Sequence, residues 1–140
     1  MKKNLIKILF IIPIISFINL SCDDANQINR FNFVFPEDEE ISYRFHVEPF
    51  LRLRCAYSGC HSSNSIAGGI DLSSWFKLWS GPGIINLQDD NQGGYNPDAS
   101  LLLQVMDQRN PHLLNLNLIP ATENQEVGIR RWLENGAENN

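Results

Sequence analysis

Long apolar runs, histidines, cysteines and basic residues are all scarce in this chain, and each scarcity narrows what it can be. The main apolar stretch, Ile8 to Leu20, falls short of the roughly twenty residues that a membrane-spanning helix needs. Histidine occurs only at 46, 61 and 112, and no Ser/His/Asp set is recognisable, which leaves a hydrolase little to build on. Cysteine occurs only at 22, 55 and 60, so no disulfide-dense scaffold is available. The 11 basic residues are outnumbered by 16 acidic ones. Such a balance argues against nucleic acid and anionic lipid headgroups as partners, and favours basic proteins.

What is present begins with an export signal. Lys2, Lys3 and Lys7 precede the apolar run, and Ser21 follows it just before Cys22, so residues 1–21 read as a signal peptide. Ile18-Asn19-Leu20-Ser21-Cys22 resembles the lipobox of bacterial lipoproteins, although Asn19 replaces the usual Leu. That resemblance implies lipidation at Cys22 and a cell-envelope location, periplasmic or surface-facing; a plain secretory signal with a free Cys22 is the alternative. Residues 22–140 are 119 residues, sized for one domain. Losing three lysines lowers the basic count from 11 to 8 against 16 acids, a net charge of −8. Residues 22–40, ending in Glu37-Asp38-Glu39-Glu40, read as the lipidated N-terminus and a tether, although Phe31, Phe33 and Phe35 alternate as a strand-like strip would.

From Ile41 to Asn140 the pattern predicts an all-α domain of short helices and long loops. A first helix, broken near Pro49, leads into Cys55. Asp71 or Ser73 caps a second, carrying Trp75, Phe76, Leu78 and Trp79. Residues 80–97 form a long loop. A third helix begins at Asp98-Ala99-Ser100 and buries Leu101, Leu102, Val105 and Met106. The last opens on the capping box of Thr122-Glu123-Asn124-Gln125. It buries Val127, Ile129, Trp132 and Leu133 and stops at Gly136. So loop-rich a chain needs apolar bulk at its centre.

Cys55-Ala-Tyr-Ser-Gly-Cys60-His61 meets that need. Two thiols with a histidine directly after the second are what covalent haem attachment requires: the thiols add to the haem vinyl groups and the histidine ligates the iron. Four residues separate the cysteines where two are usual, so the surplus must loop outward, most easily at Ser58-Gly59. A small disulfide loop or a structural metal site fits the same residues.

Several landmarks fall in a telling order: Val47-Glu48-Pro49-Phe50-Leu51, then Cys55, Gly59-Cys60-His61 and Gly68-Gly69-Ile70-Asp71-Leu72. Pro97, Ser100-Leu101-Leu102, Ile129, Trp132-Leu133 and Gly136-Ala137 complete it. Over Val47 to Asn140 this order resembles exported bacterial c-type cytochrome domains of the planctomycete-type and related lipoprotein family. The resemblance implies a cytochrome c-like fold wrapped around one covalent haem c. It also implies electron transfer between redox partner proteins without bond-making catalysis.

The family's Met-Pro pair, source of the sixth iron ligand, is missing; Ile119-Pro120 stands in a similar place and Ile cannot ligate. His112, after Pro111, is the candidate distal ligand. Met106 reads as core, and His46 as a surface or capping residue. Trp75, Trp79 and Trp132 read as haem-pocket or core packing. Asp89-Asp90 and Glu39-Glu40 read as solvated charge. Rival readings are a non-redox surface interaction module with a Cys55–Cys60 disulfide and a peroxidase-like haem enzyme with an open sixth position. A zinc site from Cys55, Cys60, His61 and His112 is a third, for which adjacent Cys60 and His61 are awkward.

Overall fold

Pro49 lacks an N–H, and the helical ladder changes register just where it stands. In the computed structural model, which describes residues 32–89, 91, 94–110 and 120–140, a π-helical turn spans Tyr43–Val47. Its bonding is marked by Val47 N–H donating to Ser42 O at 3.2 Å. Helix α1, Glu48–Arg54, continues from it with Pro49 in the first turn, where an amide would go unused. The expected break at Pro49 is therefore a handover between two helical ladders.

After the Cys55–His61 loop come a 3₁₀ turn at Ala67–Gly69 and helix α2, Trp75–Ser80. The cap of α2 is Ser74, whose Oγ accepts from Lys77 N, one residue beyond the expected Ser73. Asp71 instead accepts from Ser73 N at 2.9 Å and shapes the approach. The expected long loop contains a small antiparallel ribbon, β1 (Gln88–Asp89) paired with β2 (Tyr95–Asn96), so the described residues are helical with one short ladder. Helix α3, Leu101–Met106, follows Ser100, whose hydroxyl bonds both backbone groups of Asn86 instead of capping the helix.

Helix α4, Glu123–Glu134, carries the expected capping box: Thr122 accepts from Gln125 N and Gln125 accepts from Thr122 N. Such a cap is worth about 1 kcal/mol. Ile129, Trp132 and Leu133 are buried as expected, but Val127 is 46% exposed. The buried stripe is Gln125, Gly128, Ile129, Trp132 and Leu133, and Val127 lies off it by helical phase, while the bare Cα of Gly128 faces the Phe35 ring. Gly136, at φ +90°, ends the helix by letting Ala137 N reach Trp132 O.

Trp132, Phe35, Phe50, Leu51, Leu78, Leu103, Ile129 and Leu133 form the centre of the core. Each such side chain contributes about 1.5–3 kcal/mol by leaving water. Met106 lies in this core, as expected. The alternation at 33–35 is also real. Phe33, Phe35 and Phe50 pack edge-on or tilted against one another with ring centroids 5.1–5.7 Å apart, while Val34 points outward. Asn124 bonds both backbone groups of Phe35, and Gln125 Nε2 donates to Phe33 O. Packed structure thus begins by Phe33, inside the stretch expected to be tether, because aromatic burial and α4 side chains hold it. The signal at 1–21, Cys22, Asp90, His112 and Ile119 lie outside the described residues. Among the described residues, no helix is long and apolar enough to cross a membrane.

A methyl at Gly128 would overlap the Phe35 ring. Gly128→Ala should therefore lower stability by about 1–3 kcal/mol, measured by denaturant unfolding, and Phe35→Ala in the same background should make the glycine change nearly neutral.

Candidate functional site

Helix α1 delivers Cys55 at its C-cap, with Cys55 N donating to Leu51 O at 2.8 Å. The chain then turns out and returns, and His61 N donates to Cys55 O at 3.0 Å. That bond closes the loop and brings His61 back beside Cys55 in spite of the wide spacing. The surplus lies outward: Ser58 and Gly59 are exposed, and Gly59 takes φ +87°, a conformation glycine adopts without strain. Ser65 Oγ accepts from Gly59 N at 2.8 Å, pinning the tip.

His61 is buried, at 8% exposure. Its Nδ1 lies 3.2 Å from Ile70 O. A carbonyl only accepts, so Nδ1 is the donor in this bond. His61 O in turn accepts from Leu72 N at 2.9 Å, so both the ring and the backbone are fixed to the strand of chain after Gly68-Gly69. Gly68 and Gly69 both take positive φ, +63° and +78°, and make the turn that brings Ile70 under the imidazole. Histidine ligands are commonly held this way, by donation from the second ring nitrogen.

Cys55 and Cys60 are free thiols, each half-buried. Cys55 packs against the hydrophobic core, and burial pushes its thiol up to about 11, with Arg54 opposing weakly. Arg54 Nη2 also donates to Pro120 O at 3.1 Å, tying the end of α1 to the chain just before α4.

The remaining sequence candidates fall elsewhere. His46 is a capping residue, its Nδ1 accepting from Ser42 N at 3.0 Å. Trp132 is core, and its indole N–H donates to Glu138 O. Trp75 and Trp79 both donate to Ala137 O, at 2.8 and 3.4 Å. Tyr43 stacks near Trp132, and its buried hydroxyl has no partner. Burial, reinforced by Glu48, raises it to about 12, so it is a neutral phenol. Among the described residues, no three His, Cys, Asp or Glu side chains converge as a metal-binding group.

Two features of the site were not read from the sequence: the Ile70 carbonyl and the Ser65 hydroxyl. Paired glycines seven and eight residues after a candidate ligand are the signal for the first. The chain matches no protein-family model, no curated protein and no solved structure.

Burial of Cys55 has a direct chemical consequence, because the thiolate is the reactive form. In a Cys60→Ala background, iodoacetamide at pH 8 should modify Cys55 at least about tenfold more slowly in the folded haem-free chain than in urea. The difference should narrow as pH approaches 11, where the folded thiol ionises. Equal rates at pH 8 would show that the thiol is not buried.

Proposed function

We propose that this protein is a monohaem c-type cytochrome, anchored as a lipoprotein in the cell envelope, that carries electrons between redox partners. The observation that carries the reading is His61: a buried imidazole whose Nδ1 donates to Ile70 O, which orients the ring with Nε2 as the nitrogen that would meet iron. Together with two free thiols in one closed loop, that donor set fits a covalently held haem. A haem would bring its own ring nitrogens to the iron, with His61 as the protein ligand, so a convergence of three protein side chains would not be required. When bound, the haem supplies the one-electron chemistry.

The chain's own residues have separable tasks in this reading. Cys55 and Cys60 hold the group. His61 offers Nε2 from a fixed orientation, and its bond to Ile70 O prevents the ring from swinging. His112 is the proposed distal ligand, on sequence position alone. Cys22 is the proposed lipid site, and more than one acyl chain there gives stable anchoring.

Protein made with a haem-attachment machinery should keep its Soret absorbance after denaturation and acid extraction, and its mass should include one haem. Cys60→Ala should sharply reduce the holoprotein. A colourless product with a Cys55–Cys60 disulfide would instead support the interaction-module reading.

His112→Ala should convert a six-coordinate low-spin spectrum to high-spin and ease binding of cyanide. A spectrum unchanged by His112→Ala but altered by Met106→Ala or His46→Ala would assign the distal ligand elsewhere.

A further inference from the structure

Among the described residues, Ala137 is the one buried non-glycine residue whose φ is positive, at +52°. Left-handed backbone costs an L-residue free energy and persists where the surroundings impose it. Three contacts impose it here. Ala137 N donates to Trp132 O at 2.9 Å, and Ala137 O accepts from Trp75 Nε1 at 2.8 Å and from Trp79 Nε1 at 3.4 Å. The residues that follow are held too. Glu138 O accepts from Trp132 Nε1, and Asn140 O accepts from Ser42 Oγ and Arg44 N. Residues 137–140 therefore join α4 to α2 and to the π-helical turn.

Trp75 is where that join meets the His61 segment. Helix α2 has six residues, too few to stand by its own ladder, so side-chain contacts set its place. Leu78 supplies an apolar contact and is fully buried, while Trp75 packs against the core and adds the polar contact to Ala137 O. Two residues separate Trp75 from Leu72, whose N–H donates to His61 O, and Ile70 O accepts from Nδ1 of the same histidine. On the other side of Ile70 stand Gly68 and Gly69, both at positive φ, where the backbone has the most freedom. The Ile70–Leu72 segment is thus steered from its α2 end.

We propose that Trp75 is a positioning residue for His61: by donating to the Ala137 carbonyl it holds α2, and through α2 the Ile70–Leu72 segment that orients the imidazole. This rests on the reading of His61 as an iron ligand. Trp79 has the smaller share, because its bond is longer than a usual N–H···O contact and it is 40% exposed. The left-handed turn at Ala137 serves the same end, since it directs the carbonyl toward α2.

The test is hydrogen exchange by NMR on the reduced full-length holoprotein. Trp75→Phe keeps an aromatic ring and removes the donor. It should speed exchange of the His61 Nδ1 proton and the Leu72 amide about tenfold relative to the α3 amides. Trp79→Phe should change that ratio less. Gly128→Ala, which lowers stability through Phe35, should leave it unchanged, so a general loss of stability is told apart from a loosened histidine. An unchanged ratio in Trp75→Phe holoprotein, whether exchange is slow everywhere or fast everywhere, would overturn the positioning role. A chain that takes up no haem would overturn the ligand reading on which it rests.

Discussion

The bond from His61 Nδ1 to Ile70 O is the contact around which the site is arranged. It fixes the tautomer, the ring's orientation and the path of the chain through Gly68 and Gly69 to Leu72. Without it, a buried imidazole would have an unsatisfied donor, at about 1–3 kcal/mol. A second bond explains how a motif with four residues between its cysteines still closes: His61 N returns to Cys55 O, while the extra residues project into water at Ser58 and Gly59.

Everything around that loop serves to keep its two ends in place. On one side α1 carries Cys55 and is buried through Phe50 and Leu51. Phe50 is in turn covered by Phe33 and Phe35, strapped down by Asn124 and Gln125 of α4. On the other side Leu72 leads to α2, whose Trp75 and Trp79 bond the Ala137 carbonyl beyond the end of α4. Helix α4 thus clamps both arms, and Trp132 at its centre is almost fully buried.

Much of this was legible in the sequence because the signals are local. The capping box at Thr122, the stop at Gly136, the proline in the first turn of α1 and the outward bend at Ser58-Gly59 all follow from residue chemistry over a few positions. The burial of Gly128 and Gln125 in place of Val127 was not legible, because Gly128 has no side chain to mark the stripe and receives a ring from Phe35, nearly a hundred residues away. The cap of α2 shifted by one residue because Asp71 is used in its own turn with Ser73. The Ile70 carbonyl escaped notice for the same reason as any backbone acceptor: its side chain carries no mark of the role. Val34 and the strip around it were ambiguous because alternation fits a tether strip or an edge strand, and only long-range packing chooses.

The central claim is that His61 presents Nε2 to iron while Ile70 holds Nδ1. Nitrogen-15 NMR of histidine-labelled holoprotein tests this most directly. The account predicts hyperfine-shifted His61 nitrogens, with a slowly exchanging proton on Nδ1. A His61 ring with neither nitrogen shifted by iron would contradict it.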